Sequence, residues 1–412
     1  MTVTRRRFVA GSSLALASLG IVRVPFFEEA LEGAEPGAGQ GRSLLVIQLG
    51  GGNDGLNTVI PFADPAYAVL RPTIGLGEGE RLDLDGRVAL HAALAPLRER
   101  FARGQLAIVQ GVGYPKPDRS HFTSTAIWQT ARLEPYREHT GWLGRAIDST
   151  QQGGSRVPLT ALGIGGGGLS PALQAQATSV PSLLSLDAFA MQPDRRYPSD
   201  APALRRAVEE MYPGSESRSE DGFIRQVGNT ALRSSDVLRS ALAGYSSSVT
   251  YPQGTFGSQL KLVAQLLTSG TGTRVFHVTL SGFDTHANQK VQQRALFDQV
   301  GRGIDAFLLD LERHGCGSST AVITYSEFGR RAGENGSAGT DHGSGSVAFV
   351  AGEGVAGGLY GPVADLGNLS NGDVPFALDF RSLYASVLRD WLGVSPDKIL
   401  GPGFGDLKLF RS

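Results

Sequence analysis

Side chains that can bind metals or act as nucleophiles recur where four apolar segments of the sequence end. Asp54 follows the first segment, Arg119-Ser120-His121 the second, Asp284 and His286 the third, and Glu327 the fourth. The carboxyl ends of parallel strands meet at one edge of a sheet, so we expect these groups to converge. Oxygen and nitrogen ligands together suit Zn²⁺, Mn²⁺, Ca²⁺ or Mg²⁺. The pattern therefore predicts a divalent metal site.

A fifth polar segment adds an imidazole to this set. His342 lies in the glycine-rich stretch Gly339-Thr340-Asp341-His342-Gly343. No interval between these residues is a zinc motif, so the prediction depends on convergence. His286 by itself would more often be a hydrogen-bonded histidine than a ligand, and Asp284 two residues before it favours ligation. Glu327 could instead form a surface ion pair with a neighbouring arginine, and Asp54 could belong only to a turn.

Ser120 directly precedes a predicted helix, His121–Thr130. A serine at this position often caps the helix, because its hydroxyl accepts a hydrogen bond from an unpaired backbone N–H. It can also act as a nucleophile, since the N-terminus of a helix stabilises an incoming anion. Both roles are open for Ser120.

Apolar strands and amphipathic helices alternate along the chain and must position these groups. Continuous apolar runs are typical of strands buried on both faces. The predicted strands are Ser43–Leu49, Leu106–Val112, Arg274–Leu280 and Ala321–Tyr325, and the predicted helices are Leu94–Ala102, His121–Thr130, Ser258–Leu267, Gln292–Arg313 and Phe380–Trp391. The alternation predicts an α/β fold with a mostly parallel central sheet and helices on both faces.

The N-terminal residues predict export. Thr4-Arg5-Arg6-Arg7-Phe8-Val9 is followed by a weakly apolar stretch to Val22, a layout typical of twin-arginine signal peptides. An N-terminal amphipathic helix is the alternative. We expect a signal peptide over residues 1–34, cleaved near Ala34, then a flexible lead-in over residues 35–42 and a periplasmic or extracellular protein.

Residues 43–412 are predicted to form one domain with an insertion. The range 151–253 contains four consecutive glycines, Gly165–Gly168, many serines and weak periodicity. We interpret it as a cap-like insertion of the same α/β domain.

Composition excludes several classes of protein. The chain has 412 residues with 38 Lys+Arg against 39 Asp+Glu, and this near-neutral balance argues against a nucleic-acid binder. Cys316 is the single cysteine, which excludes an intrachain disulfide. No stretch reaches the roughly 20 apolar residues of a transmembrane helix, so no transmembrane segment is predicted.

Several phrases of the sequence resemble the alkaline phosphatase/sulfatase superfamily and, within it, the exported bacterial family called domain of unknown function 1501. The resemblance runs from Leu44 to Leu407. The phrases are Gly51-Gly52-Asn53-Asp54-Gly55-Leu56-Asn57, Arg119-Ser120-His121-Phe122, Gly141-Trp142-Leu143-Gly144, Gly282-Phe283-Asp284-Thr285-His286, Ser326-Glu327-Phe328-Gly329-Arg330-Arg331 and Thr340-Asp341-His342-Gly343. The resemblance implies an alkaline-phosphatase-like fold.

The resemblance also implies roles for individual residues. Asp54 would bind one metal together with Glu327, and Asp284 would bind a second. His342 matches the single histidine that the superfamily places in a glycine-rich loop. Ser120 matches the hydroxyl nucleophile that opens a helix.

Two positions depart from the superfamily pattern. The histidine expected four residues after Asp284 is Asn288 here, and His286 is two residues after it. A second expected histidine is Phe328, which cannot bind a metal, and His121 could replace it from another direction.

Two functions are consistent with these residues. The first is an exported hydrolase of phosphate or sulfate esters, on small molecules or glycans, with Ser120 as nucleophile and one or two divalent metals. Arg119 or Arg330 would offset the charge of the substrate's oxygens. The second is a catalytically degenerate, exported metal- or glycan-binding protein of the same fold.

Overall fold

The computed structural model describes residues 41–152, 160–166, 168–178, 180–183, 203, 206–207, 244–270 and 272–411. The predicted signal peptide and all but the last two residues of the predicted lead-in lie outside the described residues. Within the described part of the chain, no helix is long and apolar enough to cross a membrane.

Strands and helices alternate over the described residues, as predicted. The strands are β1 Ser43–Gly50, β2 Val59–Ile60, β3 Arg81–Asp83, β4 Ala89–His91, β5 Leu106–Gly113, β6 Ala161–Ile164, β7 Ser182–Leu183, β8 Val275–Ser281, β9 Thr320–Tyr325, β10 Ser346–Ala351, β11 Gly358–Tyr360 and β12 Leu378–Asp379. The helices are α1 Gly55–Thr58, α2 Ala66–Leu70, α3 Ala95–Ala102, α4 His121–Thr130, α5 Trp142–Gln152, α6 Thr255–Thr268, α7 Gln289–Arg313, α8 Phe380–Ser386 and α9 Pro396–Leu400.

Nine of the described strands form one central sheet, in the order β11-β5-β10-β9-β1-β8-β6-β7 with β12 beside β5. All neighbouring pairs are parallel except those of β10, which runs antiparallel to β5 and β9. Strands β2, β4 and β3 form a small separate sheet. The α/β fold with a mostly parallel central sheet is confirmed.

Successive residues of β1 point to opposite faces of the sheet, and helices cover both faces. Leu45 and Ile47 belong to a core with α6 and α7, whereas Leu44 and Val46 belong to a core with α4, α5 and α8. Burial of each such side chain contributes about 1.5–3 kcal/mol. An apolar run without alternation is therefore the pattern that a strand between two helical layers requires.

The range 151–253 contributes to the sheet itself. Strand β6 pairs in parallel with β8, and β7 pairs with β6. Most of the remaining range lies outside the described residues, so the cap-like insertion stays a prediction.

The parallel strands bring the polar segments to one edge. Gly50 at the end of β1 pairs with Ser281 at the end of β8, and Gln48 pairs with Tyr325 at the end of β9. Because β10 is antiparallel, it starts at this same edge, directly after the loop that contains His342.

Candidate metal centre

Three imidazoles surround one carboxylate oxygen at this edge of the sheet. Oδ1 of Asp284 lies 3.4 Å from Nε2 of His121, 3.0 Å from Nε2 of His286 and 3.1 Å from Nε2 of His342. Asp284 and His286 come from the loop after β8, His121 opens α4, and His342 precedes β10. Four groups from three segments that are far apart in sequence therefore meet at one point.

The three imidazoles are all oriented through Nδ1. In each, this atom faces an acceptor oxygen: Glu327 Oε1 for His121 (2.9 Å), the Arg119 carbonyl oxygen for His342 (2.8 Å) and Asp341 Oδ1 for His286 (3.2 Å). An acceptor at this position holds the proton on Nδ1, which leaves an electron pair on Nε2. The orientation therefore directs three nitrogen electron pairs towards Asp284.

These nitrogen atoms lie close to one another around Oδ1 of Asp284. Nε2 of His286 and Nε2 of His342 lie 2.9 Å apart, a distance at which two electron pairs repel unless a proton or cation is shared. Nε2 of His121 is buried and has no hydrogen-bond partner. An unpaired buried polar atom is costly, so the arrangement fits a bound cation.

The electrostatics of the cluster favour positive charge. Burial raises the pKa of Asp284, but the hydrogen bond from Arg330 and the contact with His342 outweigh it and lower the pKa to about 2. The hydrogen bond to Glu327 raises the pKa of His121 above its usual value. Asp284 is therefore a carboxylate at neutral pH, and Asp284 and Glu327 together favour a positive charge at His121, whether it is a proton or a metal ion.

Asp54, a predicted metal ligand, lies outside this cluster. Its side chain is fully buried and forms a salt bridge with Arg71, 2.5 Å from Oδ2 to Nη1. The role of metal ligand does not fit Asp54, because hydrogen bonds from Arg71, Gln289 and the backbone N–H of Leu56 fill both of its carboxylate oxygens.

Glu327, another predicted ligand, contacts the cluster indirectly. Oε1 accepts hydrogen bonds from Nδ1 of His121 and from the backbone N–H of Gly51 at 2.8 Å. Phe328 packs beside it, with its ring centre 4.9 Å from that of His121 and 4.6 Å from that of His342. Both residues therefore position the imidazoles.

Arg330 is buried and donates hydrogen bonds mainly to backbone carbonyl oxygens. The predicted role of offsetting substrate charge therefore does not fit Arg330. Nε donates to the Gly52 carbonyl oxygen at 2.7 Å, Nη1 to that of Thr340 at 2.8 Å, and Nη2 to Oδ1 of Asp284 at 2.7 Å. With 1% of its surface exposed, it ties together loops that follow different strands.

Ser120 and Arg119 directly precede His121, and the carbonyl oxygen of Arg119 contacts Nδ1 of His342 at 2.8 Å. Ser120 is exposed and stands at the N-terminus of α4, where its hydroxyl makes no capping hydrogen bond. The Arg119 side chain is 41% exposed and donates to Oδ2 of Asp373 at 2.5 Å. The hydroxyl and the cation are therefore both accessible to a ligand.

Two residues that shape the site were not predicted from the sequence. Asp341 orients His286, and its position next to His342 is a signal that could have identified it. Arg71 follows α2 in a segment without any motif, so no sequence signal identifies it as the partner of Asp54.

Comparison with known proteins gives a family match and distant structural similarities. The family described as a protein of unknown function, DUF1501, matches residues 105–401, well over half of the chain. No curated protein matches the chain.

Solved structures similar to this chain include sulfatase and phosphatase relatives. Ps i-CgsB is 9% identical over 89% of this chain and 77% of that chain, with a TM-score of 0.43. PsFucS1 sulfatase from Pseudoalteromonas sp. is 12% identical over 100% and 78%, with a TM-score of 0.38. A protein in the alkaline phosphatase superfamily from Vibrio parahaemolyticus is 11% identical over 89% and 73%, with a TM-score of 0.36. At such low TM-scores, these similarities carry no argument about activity.

Proposed function

The chain belongs to the DUF1501 family of proteins of unknown function, and we propose that it is an exported, metal-dependent hydrolase of phosphate or sulfate esters. One observation carries the proposal. Three Nε2 atoms converge on Oδ1 of Asp284, and that of His121 is buried without a hydrogen-bond partner. A divalent cation is the partner that satisfies all these electron pairs at once.

The donor set narrows the choice of metal. Three imidazole nitrogens and one carboxylate oxygen suit Zn²⁺, whereas Mg²⁺ and Ca²⁺ prefer oxygen ligands alone. His121, Asp284, His286 and His342 would hold the ion. The acceptors on each Nδ1 supply the outer support that metal-binding histidines usually have.

Ser120 is the proposed nucleophile. A bound divalent cation supplies Lewis-acid chemistry, which polarises an ester oxygen and lowers the pKa of a nearby hydroxyl. Ser120 Oγ loses its proton and bonds to the phosphorus or sulfur of the ester, while the ester bond breaks and the leaving alcohol takes up a proton. Water then hydrolyses the serine ester. The N-terminus of α4, next to Ser120, favours the anionic substrate.

Arg119 is the proposed charge-offsetting residue. Its side chain is 41% exposed, and the largely buried Asp373 holds it next to Ser120. A guanidinium group in this position can donate to non-bridging oxygens of a phosphate or sulfate group.

The test combines metal analysis with turnover. We expect zinc-loaded protein to hydrolyse 4-nitrophenyl phosphate or 4-nitrophenyl sulfate, to lose turnover after chelation, and to regain it with Zn²⁺. Ser120→Ala should abolish turnover and keep the metal, whereas the control Ser149→Ala on α5 should change neither. Full turnover by Ser120→Ala would contradict the nucleophile assignment.

A second candidate function follows from the number of protein donors. Catalytic zinc sites usually keep one position for water or substrate, whereas structural sites are closed by four protein ligands. If His286 remains bound as a fourth ligand, the centre is closed, and a metal- or glycan-binding protein without catalysis is favoured. Full zinc occupancy without turnover on either ester would support this alternative.

Export is part of the proposal and is supported by the sequence of the first 34 residues. The twin arginines are Arg5 and Arg6, before the weakly apolar stretch. Replacing both with lysine should retain the protein in the cytoplasm of a bacterial host, as measured by cell fractionation. The control Arg23→Lys, beyond the apolar stretch, should be exported like the wild type.

A further inference from the structure

The resemblance seen in the sequence implies a second metal bound by Asp54 and Glu327, and the residues present do not fit one. We propose that the centre holds a single divalent cation and that the buried guanidinium group of Arg71 takes the place of the second. This inference rests on the proposed metal centre. The observations behind it are the contacts of Asp54, Arg71, Glu327 and Phe328.

The carboxylate of Asp54 has no electron pair left for a metal. Oδ2 accepts from Nη1 of Arg71 at 2.5 Å and from Nε2 of Gln289. Oδ1 accepts from Nη2 of Arg71 at 3.0 Å and from the backbone N–H of Leu56 at 3.1 Å. A carboxylate has about four electron-pair positions for hydrogen bonds, so these donors fill it.

Arg71 is equally committed to its position. Besides the two bonds to Asp54, Nη1 donates to Oδ1 of Asn57 at 2.7 Å. Nε donates to the Ala332 carbonyl oxygen at 2.9 Å, and Nη2 donates to that of Arg331 at 3.0 Å. All five N–H groups of the guanidinium are used, and the side chain is fully buried. Arg71 is therefore a fixed cation paired with Asp54.

The remaining residues of the implied second site do not complete it without Asp54. Oε1 of Glu327 accepts from Gly51 and from Nδ1 of His121, and Oε2 lies 3.3 Å from Oγ of Ser326. Phe328 occupies the sequence position at which the resemblance expects a histidine, and its ring offers no ligand atom.

Metal stoichiometry tests the inference. Protein stripped of metal is titrated with Zn²⁺ against a chromophoric indicator, and bound zinc is then counted by elemental analysis after dialysis. We expect one equivalent per chain. Two equivalents would overturn the single-metal inference and leave the proposed centre standing. No bound zinc would overturn the proposed centre itself, so the two failures are distinguishable.

Matched variants distinguish the roles of Asp284 and Asp54 in zinc binding. Asp284→Asn should lose the zinc, whereas Asp54→Asn, checked for folding by circular dichroism, should keep one equivalent. Loss of zinc from folded Asp54→Asn would overturn the inference. The wild type provides a measurement that needs no variant: with Mn²⁺ at saturation, we expect the electron paramagnetic resonance spectrum of an isolated ion. A spectrum of two coupled ions would overturn the inference.

Discussion

At the residue scale, the centre depends on which atom of each imidazole carries the proton. Glu327 directs the electron pair of His121 Nε2 towards Asp284, because its carboxylate can only accept at Nδ1. Such outer partners usually change metal affinity when they are removed, although they do not touch the metal.

Glu327→Gln should therefore weaken zinc binding by about 10–100-fold. The amide keeps the shape of the side chain but loses the negative charge that holds the His121 proton on Nδ1. Competition with a chelator of known affinity measures the change. The control Glu353→Gln, after the opposite end of β10, should bind zinc like the wild type. Equal affinity for both variants would contradict the role of Glu327.

His286→Ala separates a three-ligand centre from a four-ligand centre. Without His286, ligand atoms of His121, Asp284 and His342 still lie within 4.8 Å of one another. We expect this variant to bind zinc more weakly and to retain turnover, whereas His342→Ala should lose both. Zinc analysis beside an ester assay measures the pair. Complete loss of zinc from His286→Ala would show that three donors are insufficient.

At the scale of elements, the turn after β1 must pass very close to the loop after β8. Gly51 has φ +121°, and a Cβ at this position would collide with the backbone nitrogen of Asp284. A Cβ at the next residue, Gly52, would likewise collide with the ring of Phe328. The position of Asp284 therefore depends on a turn of two glycines.

Gly51→Ala should destabilise the protein by about 1–3 kcal/mol and weaken zinc binding. Backbone strain is one cause, and displacement of the Asp284 loop is the other. Gly270→Ala is the matched control, since Gly270 also has positive φ, +72°, but open space around its Cβ position. Urea unfolding and zinc titration measure both variants. Weakened zinc binding by Gly270→Ala as well would show that strain alone, without the collision, is responsible.

At the scale of the whole molecule, zinc binding should add to the stability of the fold. The cluster joins the loop after β8, the first residue of α4 and the loop before β10, so unfolding disperses the ligands. A ligand that binds only the folded state stabilises it by about 2.7 kcal/mol at 100 times its Kd.

The melting temperature should therefore rise with zinc concentration. We expect a rise for the wild type and none for Asp284→Asn, measured by differential scanning fluorimetry. Magnesium at equal concentration should have a smaller effect, because it binds nitrogen ligands poorly. An equal rise for Asp284→Asn would place the stabilising zinc at another site.

A buried histidine in β8 should make stability depend on pH. Burial lowers the pKa of His277 to about 4, whereas the unfolded chain takes up this proton below about 6.5. The neutral His277 side chain contributes its full share to the free energy of unfolding above pH 6.5. About 3 kcal/mol of this contribution is lost as the pH falls towards 4. His91, also buried with a pKa of about 4, adds to the loss in the same pH window.

His277→Gln should flatten the dependence of the unfolding free energy on pH between 6.5 and 4. A glutamine side chain takes up no proton in either state. Urea titrations at several pH values, with chelator present to remove metal effects, measure the slope. The control His139→Gln, at an exposed position, should keep the slope of the wild type. An unchanged slope for His277→Gln would contradict the assignment.

The fold class, and the sheet edge at which the polar segments meet, can be predicted from local patterns in the sequence. Apolar runs without alternation, such as Ser43–Leu49, indicate strands covered on both faces, and this requires helices on both sides of a parallel sheet. Strand ends in such a sheet share one edge. These properties follow from local patterns of burial, which is why β1, β5, β8 and β9 lie within two residues of their predicted positions.

Which polar side chains have free electron pairs for a metal becomes clear from the folded chain and not from the sequence. Asp54 and Asp284 follow strands in the same way and each contacts a buried arginine. Hydrogen bonds fill both carboxylate oxygens of Asp54, whereas Arg330 contacts only Oδ1 of Asp284, beside three imidazoles. Arg330 was a predicted partner for the charge of the substrate's oxygens, but it is buried and donates to backbone carbonyl oxygens. Because the partners of each side chain come from segments that are distant in sequence, local sequence patterns predict burial but not these contacts.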